Sequence, residues 1–105
     1  MTERHRNILI VEDSSTWREL LPELFDKIKT RVVGSAKEVP QALSKGDITE
    51  IITDGLGGKW TEVVKHAGNL PVKLLSGDLR HKSLSTEKGV PFFDKGDFDL
   101  DELLE

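Results

Sequence analysis

Five short apolar runs, at residues 8–11, 31–35, 48–53, 71–75 and 91–94, alternate along this chain with stretches whose apolar residues fall at helical spacing. That alternation constrains the fold more than any other feature. Strands joined by helical crossovers pair in parallel, and the resulting sheet is covered by helices on both faces. The expected class is α/β, with a five-stranded parallel sheet.

Between the runs, Trp17, Leu20, Leu21, Leu24, Phe25 and Ile28 repeat at i, i+3, i+4, i+7, i+8 and i+11, which describes an amphipathic helix. Thr16 and Glu19 have the spacing of a capping box for its first turn, and Pro22, which lacks an N–H, should kink it. Ser35 and Glu38 offer a second box, ahead of a helix with Val39, Ala42 and Leu43 as its buried stripe and Gly46 as its stop. Trp60, Val63, Val64 and Ala67 mark a short third helix after the turn Gly55-Leu56-Gly57-Gly58. Residues 78–88 carry only Leu79 and Leu84 to bury, and residues 98–104 allow a closing helix of about two turns. The third to fifth helices are therefore expected to be shortened.

At 105 residues the chain amounts to one domain, 1–105, long enough for a core without disulfides or metals to staple it. A net charge of −4 argues against non-specific nucleic-acid binding, which needs a basic face. The absence of cysteine excludes disulfides and thiolate metal sites. The start, Met1-Thr2-Glu3-Arg4-His5-Arg6, is polar with no apolar stretch behind it for a signal peptide, and no segment approaches the roughly 20 apolar residues of a membrane span. The expectation is a cytoplasmic protein with neither membrane nor nucleic acid as a partner.

Four of the five apolar runs end on chemically useful residues: Glu12-Asp13, Asp54, Ser76 and Lys95. In a parallel sheet these ends share one edge, neighbouring strands lie about 4.8 Å apart, and ligands bind in the crevice beyond. One acidic residue at a strand end is ordinary, since strand ends are where polar residues begin. All four together gather three carboxylates, a hydroxyl and an ammonium. Two unit charges 4 Å apart interact by roughly 4 kcal/mol at an effective dielectric near 20, so the carboxylates call for a cation. Oxygen ligands with room for water suit Mg²⁺. An anionic nucleophile, a metal and a lysine around one cavity can transfer a phosphoryl group to a carboxylate.

The segment Ile8-Leu9-Ile10-Val11-Glu12-Asp13-Ser14-Ser15-Thr16-Trp17-Arg18 resembles the opening of a response-regulator receiver domain, of the chemotaxis-regulator type in particular. Ile51-Ile52-Thr53-Asp54, Val72-Lys73-Leu74-Leu75-Ser76-Gly77, Phe92-Phe93-Asp94-Lys95 and the stretch Ala36…Ala42-Leu43 resemble its later motifs in order, so the similarity covers essentially the whole chain. The resemblance implies a flavodoxin-like, doubly wound sheet in the order 2-1-3-4-5. It implies Asp54 as phosphoacceptor, with Mg²⁺ held by Asp13, Asp54 and the Leu56 backbone carbonyl, and by Glu12 mainly through water. Ser76 and Lys95 would contact the phosphoryl group, and Ser76 with Phe92 would form the switch, Phe93 competing for the buried side. The implied partners are a histidine kinase or histidine phosphotransfer protein and a downstream protein target. Such a domain is a phosphoacceptor rather than an enzyme, at most catalysing its own phosphorylation and dephosphorylation.

The chain departs from the family's pattern in several places. The interval from Asp54 to Ser76 is short, and Gly55-Leu56-Gly57-Gly58 replaces a loop that carries a proline. Gly96 stands where the family has a proline, typically after a cis bond. A non-proline cis bond costs about 2.5–4 kcal/mol, so a trans bond is expected here. Two other functions compete: a receiver-like interaction module not phosphorylated in use, and an aspartate-nucleophile phosphohydrolase of the haloacid-dehalogenase kind. The latter wants a second Asp two residues after the nucleophile, where this chain has Leu56. The glycine-rich turn fails as a dinucleotide fingerprint because Trp60 takes the place of the third glycine. Trp17 and Trp60 are expected to pack, while His5, His66 and His81 are expected in solvent, with Arg80-His81-Lys82 a solvated turn.

Overall fold

The computed structural model describes residues 5–105; the polar start at residues 1–4 lies outside them. Its elements are β1 (Asn7–Val11), α1 (Ser15–Leu24), β2 (Lys29–Val33), α2 (Val39–Leu43), β3 (Glu50–Thr53), α3 (Trp60–Ala67), β4 (Val72–Ser76), α4 (Lys82–Glu87), β5 (Phe92–Asp94) and α5 (Leu100–Leu104). The strands form one sheet in the order β2-β1-β3-β4-β5, and every neighbouring pair is parallel. Both the α/β class and the order agree with expectation.

Successive side chains of a strand point to opposite faces, and both faces of this sheet are covered. Leu9, Val11, Ile51 and Leu74 pack on one side with Val39 and Ala42 of α2 and Trp60 and Val63 of α3. Ile8, Ile10, Ile52 and Leu75 pack on the other with Leu21, Phe25 and Leu103. Burial on both faces explains why β1 reads as a continuous apolar run rather than an alternating one.

Several local expectations shift. Thr16 caps nothing: α1 begins at Ser15 with Ser14 as N-cap, and the Ser14 N–H donates to Glu12 Oε1. The helix runs through Pro22, which has no N–H to offer the Arg18 carbonyl, and ends at Leu24. Ile28 lies beyond the helix, yet still packs beside Phe25. In the second turn Glu38 accepts from the Gly34 N–H at 2.9 Å and the Ser35 hydroxyl at 3.0 Å. The glutamate half of that box forms one residue early, and Ser35 makes no cap bond. Residues expected to open β2, β3, β4 and β5 shift by one or two, because partner strands and turns set the ladder.

The third to fifth helices are short, at eight, six and five residues. Around α4 the expected apolar pair is not buried: Leu79 and Leu84 are 61% and 40% exposed, while Ser85 and Val90 are buried. Ser85 meets the core because its hydroxyl donates to the Val90 carbonyl. Asp99 caps α5, accepting from the N–H groups of Asp101 and Glu102. Lys73 donates to the Leu103 carbonyl at 2.6 Å, placing a cation at the negative end of that helix.

Candidate functional site

The sheet register delivers the candidate residues Glu12, Asp54 and Lys95 to one edge. Val11 pairs with both Val33 and Thr53, so the strand ends on either side of β1 are level. The hydrogen-bond ladder runs one residue further: Glu12 N–H donates to Val33 O, Asp54 N–H to Val11 O, and Lys95 N–H to Ser76 O. Glu12, Asp54 and Lys95 are thus fixed by backbone bonds immediately before the chain leaves the sheet.

There, one oxygen each of Glu12, Asp13 and Asp54 lies within 4.8 Å of the others. Lys95 Nζ stands between two of them, 2.7 Å from Glu12 Oε2 and 2.7 Å from Asp54 Oδ1. Glu12 is 1% exposed, whereas Asp13 faces solvent. The second oxygens are also satisfied, Glu12 Oε1 by the Ser14 N–H and Asp54 Oδ2 by the Leu56 N–H at 2.9 Å. Lys95 Nζ also lies 5.0 Å over the ring of Trp17, a cation–π contact that gives this half-buried tryptophan more than a packing role.

Burial pushes the Glu12 carboxyl above its ordinary value, and the negative charge of Asp54 adds to this. Hydrogen bonds from Lys95 and the Ser14 N–H pull the other way without cancelling it. Burial works against the Lys95 ammonium, but bonds to Asp54 and Glu12 outweigh it and hold its pKa above the usual lysine value. The two directions are compatible, since one cation serves two carboxylates while Glu12 bears the heavier burial.

The loop after Asp54 is held in an unusual conformation. Leu56, Gly57 and Gly58 all have positive φ, Leu56 at 52°. A left-handed non-glycine residue costs on the order of 1–3 kcal/mol. The Leu56 N–H bond to Asp54 and the packing of its side chain on the core oppose that cost. Gly55 has ordinary helical angles, so it is needed for space instead. A Cβ there would lie 2.5 Å from His81 Nδ1 and 2.9 Å from Ser76 Oγ.

That contact corrects the placement of His81 in solvent. Its side chain is 16% exposed, its ring lies 6.3 Å from that of Trp60, and Nδ1 is 3.4 Å from the buried Ser76 hydroxyl. The sequence hid it because it belongs to a polar, basic tripeptide; Arg80 and Lys82 are exposed as expected. His5 and His66 are exposed, and Trp60 is a core residue. Phe92 is half-buried and packs on the α3 side, Phe93 on the other. Among the described residues no peptide bond is cis, so Lys95-Gly96 is trans.

Solved structures share this architecture across nearly the whole chain. A signal receiver domain of an HD domain-containing protein from Pseudomonas fluorescens Pf-5 superposes with a TM-score of 0.81 at 20% identity, covering 99% of this chain and 85% of its own. The fold is that of a response-regulator receiver domain. The non-phosphorylated HemR receiver domain from Leptospira biflexa superposes at 0.72 with 25% identity, covering 94% and 88%. A transiently phosphorylated "switch" in bacterial signal transduction superposes at 0.71 with 20% identity, covering 94% and 88%. No family model matches the sequence, and no curated protein matches it. Among the described residues, no helix of this receiver fold is long and apolar enough to cross a membrane.

Proposed function

We propose that the chain is a cytoplasmic phosphoacceptor switch in which Asp54 takes a phosphoryl group from a phosphohistidine. The observation that carries this reading is the Asp54 carboxylate beside Glu12 and Asp13 on a receiver fold, with Lys95 bonded to it. A carboxylate oxygen of Asp54 attacks phosphorus, and the P–N bond breaks with its electron pair going to the donor imidazole. Lys95 then carries its charge to the transferred oxygens, and Ser76 gives its hydroxyl hydrogen to one of them.

The donor set fits Mg²⁺: hard oxygens only, with three carboxylates against one ammonium. Glu12, Asp13, Asp54 and the Leu56 carbonyl would hold it. Bound there, it would supply positive charge for the phosphoryl oxygens. The donor partner is a histidine kinase or histidine phosphotransfer protein. Signalling is by contact with a downstream protein, so the domain is a phosphoacceptor rather than an enzyme on a free substrate.

For the switch, Phe92 is favoured over Phe93. Phe92 pairs with Leu74 and Asp94 with Ser76, so strand alternation puts Phe92 on the face that Ser76 uses. Incubation with acetyl phosphate and Mg²⁺, followed by intact-mass measurement, tests the proposal. The expected result is one added phosphoryl group, lost in Asp54→Asn. A gain that survives Asp54→Asn, or maps to Glu12 or Asp13, refutes it; no gain at all would favour an unphosphorylated interaction module.

A further inference from the structure

Ser76, Asp78 and His81 form a small closed circuit beside the acidic cluster. Ser76 Oγ accepts from the Asp78 N–H at 3.0 Å and lies 3.4 Å from His81 Nδ1. Ser76 is 2% exposed, so its own hydroxyl hydrogen needs a protein partner. His81 Nδ1 is the remaining polar atom in reach, and for it to accept, the ring must carry its proton on Nε2. That nitrogen lies 3.7 Å from Asp78 Oδ2, which favours the same tautomer. Asp78 is itself held as a carboxylate: its side chain accepts from the Arg80 guanidinium and N–H, which bring its pKa down to about 2. Contact with the space left by Gly55 and with Trp60 keeps the ring in place.

We propose that His81 is a positioning residue for Ser76: in the resting domain it accepts the Ser76 hydroxyl hydrogen, and so sets how readily that hydroxyl turns to a phosphoryl oxygen on Asp54. The role rests on the phosphoacceptor reading above. A phosphoryl oxygen is an acceptor, so Ser76 can bond it only by withdrawing its hydrogen from His81. The histidine therefore holds the switch residue back. Gly55 is the residue that allows this, since any side chain there would push the ring off Ser76.

The test has two arms. Ring ¹⁵N spectra of the full chain at mildly alkaline pH should show the neutral His81 ring protonated on Nε2, with an Nδ1 signal that moves in Ser76→Ala. A proton on Nδ1 overturns the proposal. The second arm titrates beryllofluoride with Mg²⁺ and follows the Asp54 and Ser76 amides. Loss of one neutral hydrogen bond should lower the half-saturating concentration in His81→Ala by roughly 2- to 12-fold. His81→Asn, which keeps an acceptor oxygen near the place of Nδ1, should stay near wild type. A packing role alone would move both variants alike, because both lose the ring. Equal responses in the two variants, an unchanged His81→Ala, or a weaker one each overturn the role of His81 while leaving the phosphoacceptor reading intact. If the Asp54 amide responds in no variant, the phosphoacceptor reading itself falls, and the role of His81 with it.

Discussion

Replacing Lys95 by Met removes the cation shared by Glu12 and Asp54 and leaves the aliphatic stem largely in place. At 2.7 Å each ion pair is worth ~6 kcal/mol gross at an effective dielectric of 20. Withdrawing the ammonium from water costs several kcal/mol, which offsets most of that gain. What the substitution exposes is the partner left behind: Glu12 is 1% exposed and cannot recover its lost bond from solvent. Breaking a buried pair from one side costs about 3–5 kcal/mol. Taking the lower figure, since Asp54 and Lys95 retain some solvent contact, a loss of about 3 kcal/mol should lower Tm by on the order of 12 °C for a domain of this size.

A double-mutant cycle decides whether that origin is right. Glu12→Gln removes the buried charge, so Lys95→Met should cost much less in that background, with a coupling of about 1–3 kcal/mol. Because burial already raises the Glu12 carboxyl, the Lys95→Met protein should recover as pH falls and Glu12 takes a proton. The assay is thermal and urea unfolding of the four proteins at neutral and mildly acidic pH. A loss below about 1 kcal/mol, or one unchanged by Glu12→Gln, would mean that the cluster is solvated and that Glu12 keeps no buried charge in need of a partner.

Mg²⁺ at about 100 times its Kd should stabilise the wild type by about 2.7 kcal/mol, and Asp13→Ala should lose most of that effect; equal melting shifts in both proteins refute the metal assignment. Lys95 has a folded pKa above its unfolded value, so its stabilisation is complete below the unfolded value and lost as pH rises through the folded one. An alkaline titration of stability should therefore show a loss beginning near pH 10.5 that is missing in Lys95→Met. Gly55→Ala should destabilise by about 1–3 kcal/mol through overpacking, and His81→Ala should relieve it in the same unfolding assay.

The parallel sheet and the edge residues were legible because they rest on chain-wide patterns, and the strand order was legible through the family resemblance. Five apolar runs and their spacers leave few alternatives to a parallel sheet, and the register then carries Glu12, Asp54 and Lys95 to one edge. Cap positions and helix ends were not, since they turn on single competing bonds. The Ser14 N–H goes to Glu12 rather than into a capping box, and Ser85 instead of Leu84 enters the core because its hydroxyl meets the Val90 carbonyl. His81 was invisible for another reason. Its burial depends on the absence of a side chain at Gly55, 26 residues away in sequence, and no local period records such a dependence.

Gly55, His81, Ser76 and Phe92 lie on one side of the sheet, and this gives the proposed switch a direction. Phe92 packs with the α3-side core, and strand alternation puts Ser76 on that face too. Any movement of Ser76 toward Asp54 therefore opens space on the Phe92 side and not behind Phe93. The hydroxyl bond and the Lys95 contact made to a phosphoryl group together supply only a few kcal/mol, against the roughly 5.5 kcal/mol needed to invert a 1:99 equilibrium. His81 adds to the resting side of that balance. A free phosphorylated domain should then remain a mixture, and the partner that binds the switched face should complete the shift. NMR with beryllofluoride should show Phe92 signals averaged between two environments, moving toward one limit in His81→Ala. A single Phe92 environment, identical with and without the mimic, would show that output leaves by another route.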